Sequence, residues 1–180
     1  TIHPLVTDDP AQIGVVDAVL VCTKTFQVAP ALEDYSSSLI GPDTVVVTTQ
    51  NGVATPQVVA DIVGRRRTCP GVCREWVKIV EPGLVDDMGG PASIHIGMLD
   101  GSQNPIVDEI RSRFESVGVT CPPVDDIITE LWFKAVNVCA QGAIGAALEA
   151  TLGELLTCHR DLFVRCVREW IAVGEAHGAD

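Results

Sequence analysis

Short apolar runs alternate with helical or turn-rich stretches along the first half of the chain. Residues 17–23 (DAVLVCT) are almost continuously apolar and β-rich, the pattern of a strand buried on both faces. A helical stretch follows, with Pro30 tolerated near its first turn and Gly41-Pro42 stopping it. A second buried strand, residues 44–49 (TVVVTT), ends at Gln50-Asn51-Gly52. Strand, helix and strand within about 30 residues make one βαβ crossover, so the sheet is expected to be parallel here. Residues 53–64 predict a short helix, opened by Thr55-Pro56 and closed by Gly64.

After the basic Arg65-Arg66-Arg67 the pattern changes. Residues 77–80, 84–85 and 93–97 are short β-rich segments separated by Pro82-Gly83 and Gly89-Gly90, which predicts added antiparallel strands. An amphipathic helix over 104–117 and a strand over 119–121 would close this region. Pro122-Pro123 reads as a linker, and beyond it the chain is wholly helical. Asp125-Asp126 can cap a long helix to about Leu148, where the helix dipole favours carboxylates. A second helix over 161–177 carries Phe163, Cys166, Val167, Trp170 and Val173 on one face and stops at Gly178. The expected division is an α/β part, residues 1–121, followed by an all-helical part, residues 122–180, with neither part complete.

Charge narrows the partners. The 180 residues carry a formal charge of −12, which argues against nucleic acid or an anionic membrane surface. An anionic small molecule stays possible, because it responds to local charge. Seven scattered cysteines, an odd number, suit a reducing cytoplasm better than a disulfide framework. Cys69 and Cys73 have no second Cys or His pair at zinc spacing, and no metal is expected. The first residues lack the pattern of a signal peptide, and no apolar run is expected to reach the ~18 residues of a membrane span.

The most informative segment is 131–148. It is apolar almost all the way round, so a helix here should be buried on most sides. Its strongly polar residues are Lys134, Asn137 and Gln141, which spacings of three and four put on one face. Either Lys134 snorkels to the surface, or the three line a solvent-filled cleft. A lysine beside a cleft can deliver a proton as well as a charge. Lys24, with Gln27 beyond it, follows the first strand, and Asn51-Gly52 follows the second. Ligands of parallel sheets sit outside the carboxyl ends of the strands, so these two ends suggest one binding edge.

Other candidates are weaker. The three arginines read as a solvated loop, His95 as an exposed strand residue, Glu175 as a surface residue, and Cys158-His159 as helix neighbours pointing apart. No GxSxG, P-loop or GxGxxG motif is present.

Taken in order, residues 17–27, Thr49-Gln50-Asn51-Gly52-Val53, Glu81-Pro82-Gly83 with Ile94-His95-Ile96-Gly97, and Glu130-Leu131-Trp132-Phe133-Lys134 running on to Gly153-Glu154-Leu155 resemble the ketopantoate reductase family. The resemblance implies a Rossmann-type NADP-binding domain, here its later part over 1–121, and the first helices of a helical domain over 122–180. It implies Lys134 as the catalytic lysine, which polarises the ketone and supplies a proton as NADPH delivers hydride. It places Lys24 and Asn51 on cofactor-binding positions. It further implies a small 2-oxo acid substrate (2-dehydropantoate, reduced to pantoate on the way to coenzyme A), with a homodimer as the assembly to expect.

Two departures stand out. The family's substrate asparagines fall at Val138 and Gly142, whereas Asn137 and Gln141 lie one residue earlier. Either the helix is locally rotated, or the substrate differs. The family's first strand and glycine-rich turn would precede Thr1, and its later helices would follow Asp180. The leading expectation is an NADPH-dependent 2-oxo acid reductase with Lys134 as general acid and with Asn137 or Gln141 as substrate contacts. The alternatives are a non-catalytic interaction module, or a related reductase for another oxo acid or an imine.

Overall fold

The structure is a computed structural model that describes residues 2–90 and 92–180. Among the described residues six strands form in chain order: β1 (Val16–Val21), β2 (Ile40–Thr48), β3 (Thr68–Arg74), β4 (Val77–Glu81), β5 (Leu84–Asp87) and β6 (Ser93–Ile96). The helices are α1 (Val28–Leu39), α2 (Thr55–Val63), α3 (Pro105–Ser116), α4 (Ile127–Leu148), α5 (Leu152–Thr157) and α6 (Arg160–Ala176). The main sheet has the order β1-β2-β3-β6, with the first three strands parallel and β6 antiparallel to β3. A parallel sheet with an antiparallel addition, followed by helices, is what the residue pattern predicted, and a partial Rossmann-type sheet is what the family resemblance implied.

Alternation along β2 explains how the sheet is sandwiched. Val45 and Val47 point to one face, where Ile106, Ile110 and Phe114 of α3 pack. Val46 points to the other, against Val28 and Leu32 of α1 and Val59 and Val63 of α2. A valine buried this completely contributes about 1.5–3 kcal/mol, so the three valines at the centre of β2 contribute substantially to the core. Thr44, also buried, donates to the Val16 carbonyl and accepts from the Gly41 N–H at 2.9 Å. This covers the break in register where Val16 faces Ile40 but Ala18 faces Val45. Gly41-Pro42 therefore lies inside the irregular start of β2, beyond the end of α1.

The central strand β3 was missed by the hydrophobic pattern. Pro70 and Gly71 interrupt it, and both residue types are depleted in central strands. Pro70 nevertheless accepts from the Gly97 N–H at 3.3 Å, and Gly71 is required by the close approach of the Thr48 carbonyl. The strand expected at 119–121 reduces to one bridge between Thr120 and Ser93. β4 and β5 pair as a separate antiparallel hairpin, exposed along both strands, with Gly83 in the turn at φ 84°.

Two pieces of the basic run are not simply solvated. Arg65 donates to the Leu99 carbonyl at 3.1 Å, while Arg67 reaches the carbonyls of Pro42 and Val63. Cys158 and His159 lie between α5 and α6 rather than within a helix.

α4 joins the sheet to the remaining helices. Asp126 caps it, accepting from the Ile128 N–H at 2.9 Å. Ile127 and Leu131 pack on Val72 of β3, and Ala140 packs with Leu155 and Phe163 of α5 and α6. Burial all round did not follow: Phe133, Asn137, Val138 and Gln141 are exposed. By length and composition alone α4 could cross a membrane, which corrects the expectation that no stretch would. Packing against both β3 and α6, with a hydrogen-bonded lysine midway, is the setting of a helix held by protein. Asp126→Ala is expected to cost about 1 kcal/mol, read from the urea unfolding midpoint, because it strips the cap from the helix that carries Lys134.

Candidate active site

β1, β2 and β3 run parallel, so their carboxyl ends share one rim. There Thr49 Oγ1 donates to the Val21 carbonyl at 3.0 Å. Gln50 Nε2 donates to the carbonyls of Val21 and Thr23 at 2.6 and 2.9 Å. These bonds tie the end of β2 to the end of β1 and aim the next residue, Asn51, outward. Gly52 follows at φ 105°, a conformation that disfavours any residue with a Cβ.

α4 crosses this rim and brings Lys134 to it. Lys134 Nζ donates to Asn51 Oδ1 at 2.6 Å and to the Cys73 carbonyl at the end of β3. Lys134 and Asn51 therefore meet across 83 positions of sequence. They flank a cleft of about 280 Å³ whose walls include Gly52, Gly71, Val72 and Val138. Larger hollows lie elsewhere, about 770 Å³ beside the arginine run and about 550 Å³ among Asp100, Asp108, Asp125 and Asp126. Neither joins a lysine to an amide at the strand ends.

Burial pushes Lys134 below the ordinary lysine range, and the charge of Arg74 adds to that; Cys73 and Glu75 act the other way. Burial, aided by Glu75, raises the Cys73 thiol, with Lys134 opposing. The polar neighbour of Lys134 on β3 is thus a carbonyl beside a neutral thiol.

One helical turn before Lys134, Glu130 accepts from Arg74 Nη2 at 2.8 Å, and His95 Nδ1 lies 3.3 Å from the same carboxylate oxygen. His95 is partly buried against α4, not exposed as the strand alternation suggested, because α4 lies over that face of β6. Burial lowers its pKa despite the Glu130 carboxylate, with Arg74 reinforcing the shift. The Arg74 guanidinium also sits 5.9 Å above the Phe133 ring.

The other expected residues are not gathered into the cleft. Lys24 stands at the same rim with an exposed side chain, its backbone N–H donating to Gln27 Oε1 at 3.1 Å. Asn137 is exposed on a different groove, between α4 and α6, beside Trp132 and Ile171. Gln141 is exposed and lines neither hollow. α4 is continuous from Ile127 to Leu148, so no break rotates these side chains toward Lys134. At about 100° per residue, the cleft face follows Leu131, Ala135 and Val138, and Asn137 falls well to one side of it. Sequence reasoning missed the tie made by Gln50, for which a long amide directly after a buried strand was the available signal. It also missed the Cys73 carbonyl, which leaves no trace in side-chain chemistry.

Comparison with known proteins bears on what this site belongs to. Residues 2–101 match the family model described as ketopantoate reductase PanE/ApbA. The chain is 30% identical over 185 residues to the 2-dehydropantoate 2-reductase of Caulobacter vibrioides, covering 98% of this chain and 59% of that protein. The 2-dehydropantoate 2-reductase structure from Geobacter metallireducens superimposes with a TM-score of 0.82 at 29% identity, over 94% of this chain and 56% of that one. D-mandelate dehydrogenase, in a structure with NADH and anilino(oxo)acetate, superimposes at 0.79 with 20% identity, over 92% of this chain and 53% of that one, a likeness of fold alone. The chain spans about half the length of the curated relatives it matches. With more than half of its residues matched by one family model and a Rossmann-type sheet whose rim at Asn51 is met by Lys134 of α4, the chain belongs to the ketopantoate reductase PanE/ApbA family.

Proposed function

We propose that this chain carries the proton donor and part of the nucleotide rim of an NADPH-dependent 2-oxo acid reductase that converts 2-dehydropantoate to pantoate. The observation that carries this reading is Lys134 Nζ held by Asn51 at the common end of three parallel strands. The residues at that rim suit a nicotinamide dinucleotide: Lys24 is an exposed cation, Asn51 an amide, and the space around Gly52 is open. When bound, the cofactor supplies hydride to the ketone carbon.

The protein's own part is electrostatic and acid–base. Lys134, in an apolar cleft, polarises the ketone oxygen before reduction. It then gives a proton to the developing alkoxide, so that one hydride and one proton together make the alcohol. Lys24 and Asn51 hold the cofactor. The free state of all seven cysteines suits a reducing cytoplasm, the compartment we assign to this activity.

Loss of NADPH absorbance in the presence of 2-dehydropantoate tests the activity directly; no oxidation would overturn it. The pH profile tests the acid. The donor is active while protonated, and its protonated form is lost as pH rises through a lowered pKa. The basic limb of kcat/KM, which reports the enzyme before the 2-oxo acid binds, is therefore expected below 10.5, the ordinary lysine value. A limb at or above that value would remove Lys134 from the role.

One observation favours a second reading of the substrate. Val138, not Asn137, faces the cleft, beside Leu131 and Ala135. A site without an amide there suits a 2-oxo acid with an apolar tail. A site that hydrogen-bonds a substrate hydroxyl rejects the analogue lacking it by roughly 10⁴-fold or more. Comparing kcat/KM for 2-dehydropantoate and 3,3-dimethyl-2-oxobutanoate separates the two readings, since near-equal values identify the apolar substrate class.

A further inference from the structure

We propose that the Arg74–Glu130 pair is a positioning clamp for Lys134, fixing the rotation and height of α4 against the end of β3 so that Nζ stays at Asn51. The inference rests on the reading of Lys134 as the proton donor and adds to it two positioning residues.

A lysine side chain carries about 2 kcal/mol of rotamer entropy, so its head is held only where its root is fixed. α4 grips β3 at two consecutive residues. Glu130 Oε2 takes the Arg74 guanidinium at 2.8 Å, and one helical turn later Lys134 takes the Cys73 carbonyl. Residues four apart lie on one helix face, so the two grips are in line and define a register. His95 of β6 closes on the same Glu130 oxygen, and Phe133 lies beneath the guanidinium. A slip of α4 by one residue would turn Lys134 through about 100°, away from Asn51.

The pair is an unconvincing stability device by comparison. Arg74 and Glu130 each keep 30% side-chain exposure, and ion pairs near the surface contribute little through charge alone. Its effect is geometric. The charged or titratable groups facing Lys134 are Cys73 and Arg74 of β3 and Glu75 just after it, with Glu130 on its own helix.

The chain has three lysines, Lys24, Lys78 and Lys134, so labelling lysine Cε with ¹³C gives a simple spectrum in which Lys134→Met assigns the third signal. Glu130→Ala is the deciding variant, because a clamp and a plain charge effect predict opposite signs. Losing a nearby carboxylate would, by charge alone, lower the pKa of Lys134. Losing a clamp releases Lys134 into water and raises it, and the side-chain amide of Asn51 shifts as its partner leaves. Glu130→Gln, which can still accept from Arg74, is expected to restore both signals. A lowered or unchanged Lys134 titration in folded Glu130→Ala overturns the clamp. Should that variant fail to unfold cooperatively, Arg74→Met supplies the test: a shifted Asn51 amide supports the clamp and an unmoved one overturns it. Both signals are read without turnover, so a protein that fails to reduce any 2-oxo acid would refute the functional reading and leave this result standing.

Discussion

Replacing Lys134 with methionine is expected to lower kcat for 2-oxo acid reduction by about 10²–10⁴-fold, the usual contribution of a positioned acid. NADPH affinity should change little. Methionine keeps an unbranched apolar stem against the cleft wall while removing the charge and the proton. It leaves Asn51 Oδ1 and the Cys73 carbonyl without their donor; Asn51 opens onto the cleft, where water can replace the lysine. Arginine separates the two roles proposed for the lysine. It keeps a positive charge to polarise the ketone yet does not give up a proton near neutral pH. Lys134→Arg should therefore stay far below the parent rate, while its NADPH binding matches the parent. Steady-state NADPH oxidation, with cofactor binding followed by fluorescence, reads both quantities. A methionine variant keeping more than a tenth of the parent rate would mean that the proton comes from elsewhere.

The parts of this fold that could be read from residues alone are those decided by local patterning. β1 and β2 each carry a short apolar run, residues 18–21 and 45–47, and the caps at Asn104 and Asp126 sit where their short polar side chains bond the first turns of α3 and α4. β3 was hidden because Thr68–Arg74 holds a proline and a glycine, whose presence makes sense only beside the Thr48 carbonyl and Gly97. The site behaved in the same way. Periodicity correctly groups Lys134 with Asn137 and Gln141 within about 60° of one another. Which edge of that arc faces the cleft depends on how Ile127 and Leu131 seat α4 on Val72, a tertiary fact. That seating selects Val138 and turns Asn137 toward α6. The expectation for His95 failed for a related reason: alternation along a strand says which residues share a face, not which face a later helix will cover.

Gly71→Ala is expected to be among the most destabilising single-methyl additions available in the sheet, by about 2–3 kcal/mol. A Cβ at this position would lie 2.4 Å from the backbone oxygen of Thr48 and 3.4 Å from Ile96 Cγ2. The first contact is with main chain, so no rotamer change relieves it. Relief requires parting β2 from β3, whose register pairs Val46 with Thr68, Val47 with Cys69 and Thr48 with Pro70. Against a total stability of about 5–15 kcal/mol, such a loss is large. Gly142→Ala is the matched control. That position, on an exposed face of α4, has no neighbour within 4 Å of an added Cβ, and alanine there should stabilise by up to about 1 kcal/mol. Urea midpoints at constant slope should thus move in opposite directions for the same added methyl. Equal shifts would show that β2 and β3 do not approach as closely as the Thr48 contact requires. The consequence reaches the site, because Thr48 lies three residues before Asn51 and Gly71 lines the cleft. Any widening between β2 and β3 therefore pulls the Asn51 amide from Lys134, and turnover should fall in Gly71→Ala by more than the unfolded fraction accounts for.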